Sequence, residues 1–496
     1  MGEGSKKGFL DFLVSREGFF LWLYSTFLIL YLGELNLPLS YDEAYYWDWS
    51  RALDFGYYSK PPMVAWIIRL TTSLFGDTEF GVRVGAVLFR VFSLLFAMYF
   101  FYRYFDRLRV RLILFTLCFT PILTIYSFIM TIDPPLFFFW IASLFFGAYF
   151  LEKRNTLSAF YLGLSIGLGL LTKQTMLAFL ALFLFYLLLF ERDLLKTKQT
   201  LILIGVSFIL ILPNILWNLN HGLVMIKHTG ESFSRLFPPL KEVGKFLSGV
   251  FFLYGPLLLP LFFYLSFRYA KVLGRFFRRE NLPIPDDKLF QFKLINLLFI
   301  LSFLPLLGLI PLSLILQMNV NWVAPFFLSA YFFTLALAIS RQLYLRLVIL
   351  NLIICFFLSL AILVLPKKPD LFGPEVARSL FKFYGGRELA EAVEKYYRKD
   401  IPLLTSGRES ASWLAFYLKD KPKVYVVKKG SKAKNQYHIW RDAETLRGKE
   451  VLLVKKWTDK PTYLESPIHL ETVQYEFYGK RGVYSIWRGV YVGVER

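Results

Sequence analysis

The chain has 496 residues, 56% of them hydrophobic and 19% aromatic, with only 19% charged and a mean hydropathy of +0.49. A soluble domain lies nearer 45–50% apolar and about 25% charged, and single cores stop growing at roughly 250–300 residues, so the apolar excess predicts a polytopic membrane protein and excludes a plain cytosolic enzyme, a coiled coil, a collagen-like repeat and a disordered chain. The net charge of +21 would suggest nucleic acid in a soluble chain, but in a membrane protein it suggests cytoplasmic loops and anionic headgroups, and no nucleic-acid partner is expected.

At the start, Lys6, Lys7 and Arg16 precede an apolar run from Phe19 to Leu37 that has no small-residue cleavage pattern. This reads as a signal-anchor and first membrane helix. Further runs follow at about 80–101, 112–130, 134–151, 157–172, 174–190, 199–216, 245–267, 292–311, 322–340 and 345–365, eleven in all, with a range of 11–13. Only Thr172-Lys173-Gln174 divides the fifth from the sixth. With the N-terminus cytoplasmic, the inner loops hold 21 Lys/Arg, including Arg103, Arg107, Arg109, Arg111 and the patch from Arg268 to Lys293, against about 8 in the outer loops. The bias sets the orientation and puts the C-terminus outside.

The first outer loop, 38–79, is too polar to span and too patterned to be a linker. Asp42–Leu53 predicts an interfacial helix bearing Tyr45, Tyr46, Trp47 and Trp49. Pro61-Pro62 breaks the chain, and Met63–Leu74 resumes as an amphipathic helix. Asp42 and Glu43 are neighbours, about 100° apart on a helix, so they do not share one target. They read either as an N-cap plus a surface acid, or as a functional acid plus a supporting one. Asp133 stands alone before Pro134-Pro135, where an acid close to hydrocarbon is expensive unless paired or functional; capping the next helix is the other reading. Lys60 and Lys173 are cations at the outer interface, suited to phosphate or simply snorkelling. The loop 217–244 adds Trp217, Asn218, Lys227 and His228, and Asn321 ends a later loop. Cys118 and Cys355 lie in apolar runs as small buried residues, and the four His make no zinc pattern.

After Pro366 the composition changes. Arg387–Lys399 has helical apolar spacing, and strand-like runs follow at Pro402–Thr405, Val424–Val427, Val451–Val454, Ile468–Phe477 and Val483–Val492. This predicts a small α/β domain over 366–496 on the outer face, after a transmembrane catalytic domain over 1–365. It carries 26 of the 57 basic residues, which suits anionic lipid or glycolipid and equally suits an ordinary solvated face.

Carboxylates and cations from four outer loops, with Asn321 from a fifth, drawn to one membrane face suit a reaction with a phosphate leaving group. The carboxylate deprotonates an acceptor hydroxyl, and the cations stabilise charge on the departing phosphate. A transporter or flippase with outer-side gating charges is the alternative, although such proteins more often show internal repeats and midplane sites.

At YDEAYYWDWS, GYYSKPPMVAW and LFGDTEFGVRV, and again at TIDPPLFFF, GLGLLTKQT, PNILWNLNHGLVMIKH, VNWVAPFF, LAFYLKDKPKVYVV and NQYHIW, the chain resembles the dolichyl-phosphate-mannose-protein mannosyltransferase superfamily, in particular its bacterial branch of lipid A aminoarabinose transferase and related enzymes. The resemblance implies a C-type glycosyltransferase fold and inverting transfer of a sugar from a polyprenyl-phosphate donor to a glycolipid such as lipid A, or to a protein. It implies an inner-membrane protein whose site and C-terminal domain face the periplasm. It carries the catalytic acid onto Asp42, with Glu43 supporting or contacting acceptor and Asp133 as the second-loop acid. Donor phosphate falls to Lys60, Lys173, Lys227 and His228; Tyr46, Tyr58, Trp217, Asn218 and Asn321 line the substrate pocket. The superfamily generally needs no cofactor or catalytic metal, while its oligosaccharyltransferase relatives use a divalent metal; Asp42, Glu43 and Asp133 suit both.

Overall fold

A computed structural model describes residues 9–232, 235–278, 285–428, 430 and 432–494. Lys6, Lys7 and part of the Arg268–Lys293 patch lie outside the described residues. Each of the eleven apolar runs falls on helix. Five helices are long and apolar enough to cross a membrane: Glu79–Tyr104, Asp133–Lys153, Lys198–Asn220, Asp286–Leu312 and Gln342–Val364. Shorter apolar helices include Thr156–Leu170, Met176–Phe190 and Ala324–Ala338. The apolar window of Gln342–Val364 is only 22% buried, leaving Ile349, Ile353, Phe356 and Phe357 exposed. A contiguous apolar face of this kind needs lipid against it, and the chain is a polytopic helical membrane protein.

Two runs differ from their expectation as single spans: 112–130 divides into Arg107–Phe119 and Pro121–Ile125 with a break at Thr120, and the other is sharply bent. Residues 245–267 form two helices, Leu240–Tyr254 and Leu258–Phe277, bent by 90°. The cause is local: Gly255 has φ +113°, which other residues rarely adopt, and Pro256 follows without an N–H. Asn351 Oδ1 accepts from the freed N–H groups of Leu257 and Leu258 at 3.0 and 3.2 Å.

The chain divides into two compact units. The first comprises Met1–Tyr31, Ala86–Leu216 and Gly230–Ile362. Its core is aromatic: Trp140 is fully buried, edge-on to Phe179 and Phe326, and donates from Nε1 to Ser329 Oγ at 2.8 Å. Gly163 and Gly167 let Thr156–Leu170 meet its neighbour closely, since a Cβ at either would lie 2.7 Å from Leu203 O or 2.6 Å from Leu210 Cδ1.

The second unit comprises Leu32–Gly85, Trp217–Thr229 and Leu363–Arg496. Its C-terminal part holds a five-stranded sheet of β1 (Leu403–Thr405), β2 (Val424–Val426), β3 (Glu450–Lys456), β4 (Leu464–Phe477) and β5 (Lys480–Tyr491), in the order β2-β1-β3-β5-β4. The strand β1 runs parallel to β2 and β3, and β5 runs antiparallel to β3 and β4. The helix Arg408–Tyr417 carries the β1–β2 crossover. In the first-loop segment, helices Tyr41–Ser50 and Met63–Phe75 flank the Pro61-Pro62 break.

Candidate functional site

Asp42 lies in the first turn of Tyr41–Ser50 but does not cap it, contrary to one sequence reading. Ser40 is the N-cap: its Oγ accepts from the Glu43 N–H at 3.3 Å, and Glu43 Oε2 accepts in return from Ser40 N at 3.0 Å. This is a capping box, readable in the sequence as Ser-Tyr-Asp-Glu and missed there. It assigns the adjacent acids separate tasks. Glu43 is fully buried and accepts from Arg83 Nε at 2.8 Å and Nη2 at 2.9 Å. Arg83 also donates to the carbonyls of Leu37 and Pro38 at 2.6 and 2.8 Å. A buried pair survives only with such full hydrogen bonding, and through Arg83 it ties Glu43 to the backbone at Leu37 and Pro38.

The Asp42 side chain faces the other way. Its Oδ1 accepts from Arg408 Nη1 at 2.9 Å, and the two side chains stay 37% and 36% exposed. The Arg408 guanidinium lies 5.4 Å from the Tyr41 ring centroid and 5.1 Å from that of Tyr45. Tyr45 is itself fixed, edge-on to Trp49 at 4.8 Å and 5.4 Å from Tyr437. Burial works against the Arg408 charge, but Asp42 together with Tyr45 and Tyr46 outweighs it, and the guanidinium pKa is raised. The helices Tyr41–Ser50 and Arg408–Tyr417 run alongside one another: Ser412 Oγ donates to Tyr41 O at 3.0 Å, and Phe416 packs edge-on to Trp47 at 4.9 Å. Burial raises the Asp48 pKa, against the nearby Arg51 charge.

Elsewhere in the same unit, Tyr58 donates its N–H to Gln436 Oε1 at 2.6 Å, and its ring lies 5.0 Å from that of His228. Lys60 is half-buried at the Pro61-Pro62 break, with its carbonyl accepting from Tyr57 N at 3.1 Å. Tyr46 is buried against Trp49 at 4.9 Å. Lys227 is exposed, whereas His228 turns inward to Tyr58. Trp217 donates from Nε1 to Asp54 Oδ2 at 2.7 Å and stacks on His221 at 4.0 Å. Asn218 Oδ1 accepts from Met225 N at 3.3 Å. Both side chains thus engage the protein's own polar groups.

The first unit brings together three residues from separate turns. Asp133 is the first residue of Asp133–Lys153, preceded by Ile132 as N-cap, and its side chain makes no cap bond. Instead Oδ1 accepts from Lys173 Nζ at 3.0 Å and Oδ2 from Asn321 Nδ2 at 3.0 Å. The Asp133 and Lys173 side chains are 4% and 9% exposed. The lone acid seen in the sequence therefore has a cation 40 positions away and an amide 188 positions away. Among the described residues no group of three or more His, Cys, Asp or Glu could hold a metal ion.

Arg83, Arg408 and Gln436 were not singled out from sequence. Each acts on a partner at least 40 residues distant, and no local spacing announces such a pairing.

Residues 59–217 match the family model of dolichyl-phosphate-mannose-protein mannosyltransferase. A curated relative, a lipid A galacturonosyltransferase of Rhizobium johnstonii, is 32% identical over 248 residues, covering 49% of this chain and 52% of the relative. The chain thus matches about half the length of that relative. Among solved structures, ArnT from Cupriavidus metallidurans bound to undecaprenyl phosphate is 14% identical, with a TM-score of 0.58 over 95% of this chain and 98% of that one. Its apo form gives 15% identity and 0.56, with the same coverage. These two likenesses concern the fold.

Proposed function

We propose that this chain, residues 59–217 of which match the dolichyl-phosphate-mannose-protein mannosyltransferase family model, is a bacterial member of that family and transfers a sugar from a polyprenyl-phosphate donor to a hydroxyl of a lipid A-type glycolipid. The chemistry of the relatives supports this reading: one is a lipid A galacturonosyltransferase, and another of the same fold binds undecaprenyl phosphate. The observation that carries it is the half-open carboxylate of Asp42. Arg408 holds Oδ1, leaving Oδ2 to serve as general base.

In the proposed step, Asp42 Oδ2 takes the acceptor hydroxyl proton as the oxygen attacks the anomeric carbon. A new C–O bond forms on one face while the bond to the phosphate oxygen breaks on the other, so configuration inverts. Polyprenyl phosphate leaves with the electron pair, and Asp42 later gives the proton to water. Lys60 and His228 are our candidates for the donor phosphate, whose growing charge they would offset. Glu43 and Asp133 each already carry a cationic partner, which favours a step without a metal. We further propose that the N-terminus is cytoplasmic, as the Lys/Arg bias predicts, and that the chemistry takes place on the outer face of the inner membrane.

The test is transfer in reconstituted bilayers, followed by mass spectrometry of the glycolipid. Appearance of a glycolipid heavier by one sugar residue, with release of polyprenyl phosphate, is the expected result. Movement of the donor across the bilayer with no change in glycolipid mass would instead identify a flippase.

A further inference from the structure

The guanidinium of Arg408 offers more donors than the protein uses. It has five N–H groups in a planar fork, and one hydrogen bond, to Asp42, engages it. The group is nevertheless held firmly, between the rings of Tyr41 and Tyr45. Tyr45 is 2% exposed and packed by Trp49 and Tyr437, so the stack is a fixed support. The Arg408 side chain stays 36% exposed, and none of its nitrogens is among the buried polar atoms lacking a partner. Its remaining N–H groups are therefore reachable by a ligand. A rigid, accessible guanidinium edge matches the two oxygens of a carboxylate or phosphate.

We propose that Arg408 is a substrate-binding residue for an oxyanion, a carboxylate or phosphate carried by the sugar donor or the glycolipid acceptor, and that it seats this group beside Asp42. This rests on the glycosyltransferase reading above. One guanidinium then fixes the base through Oδ1 and the reactant through its free edge, which sets the distance between them. A uronic acid would present its carboxylate from the donor sugar, and a phosphorylated glycolipid would present phosphate from the acceptor. The residue selects for acidic substrates, because a neutral sugar leaves the edge solvated and gains nothing from it.

The test is equilibrium binding to the purified full-length protein of galacturonate, inorganic phosphate and, as a neutral control, galactose. The wild type should bind at least one of the two anions and should bind galactose poorly. Arg408→Gln should weaken the anion by about tenfold or more, the loss of a charge-assisted pair. Arg408→Lys should recover only part, since an ammonium is a point charge without the fork. Galacturonate binding that Arg408→Gln weakens marks the donor carboxylate as the source; phosphate binding that Arg408→Gln weakens in a Lys60→Ala background, where the donor-phosphate candidate is removed, marks the acceptor. Equal anion binding by wild type and Arg408→Gln, or galactose bound as well as galacturonate, would overturn the proposal. Should Arg408→Gln fail to fold, Arg408→Lys decides by itself, and wild-type affinity in that variant overturns the fork. Binding needs no turnover, so a protein that holds the anion through Arg408 yet transfers no sugar refutes the glycosyltransferase reading alone.

Discussion

Arg408, at the start of a helix in the C-terminal α/β region, donates to the carboxylate of Asp42 at 2.9 Å across 366 positions of sequence. Both side chains remain more than a third exposed, and pairs this open to solvent contribute at most about 1 kcal/mol. The contact orients more than it stabilises.

The first prediction follows from that weakness. Asp42→Asn keeps the shape and loses the base, so transfer should fall by roughly 10²–10⁴-fold while the melting temperature hardly changes. Initial rates in reconstituted bilayers, read beside thermal melting, decide it. A variant that still transfers sugar at the wild-type rate removes Asp42 as base.

Glu43, one residue on, should behave in the opposite way. Removing one partner of a buried pair leaves a charge uncompensated, at a cost of about 3–5 kcal/mol. Glu43→Gln and Arg83→Met should each lower the melting temperature markedly, and the double variant should be little worse than either. Ser40→Ala, which removes only the cap, should cost about 1 kcal/mol. Lost activity in Glu43→Gln with unchanged melting would reassign Glu43 to the acceptor.

The Asp133–Lys173 pair is also buried, so Asp133→Asn and Lys173→Met should each destabilise by about 3–5 kcal/mol. A double-mutant cycle is the check, with the pair expected to be strongly non-additive. Additive losses would show that the two side chains act independently.

Lys60 sits at the Pro61-Pro62 break without a burial of this kind. Lys60→Ala should raise the donor KM by roughly tenfold or more, the worth of a hydrogen bond to a charged group, with a smaller change in kcat. An unchanged donor KM would take Lys60 out of phosphate binding.

His438 gives a pH dependence. Burial lowers its pKa below the ordinary 6.5, partly offset by the bond to the Val427 carbonyl. Its Nδ1 accepts from Lys434 N at 3.1 Å, and Nε2 lies 3.3 Å from Val427 O, a pattern that requires the neutral ring with its proton on Nε2. Because the folded pKa is depressed, the unfolded chain binds the proton first. The contribution is complete above pH 6.5 and is lost as pH falls through the lower folded value. Thermal melts of the α/β region between pH 8 and pH 5 should show this loss in the wild type, and His438→Gln should flatten it. Identical pH profiles for the two proteins would refute the assignment.

The elements were legible in the sequence because their signals are local. Apolar runs mark helices, Pro61-Pro62 and Pro134-Pro135 mark breaks, and the strand-like runs after Pro366 fall on β1 to β5. The 90° bend at Gly255 and Pro256 was also written locally but was hidden inside a run read only for hydropathy. The candidate acids stood out for an equally local reason, since carboxylates are rare beside hydrocarbon. What each acid does could not be read in the same way. Glu43 belongs with Arg83, Asp133 with Lys173 and Asn321, and Asp42 with Arg408. A charge's role depends on which opposite charge folding brings within about 3 Å, and that choice is made by packing between segments tens to hundreds of residues apart. The sequence by itself determined a membrane-embedded helical chain with a few costly acids at loop ends. Only the tertiary structure decided which acids are locked in buried pairs and which one keeps an open oxygen.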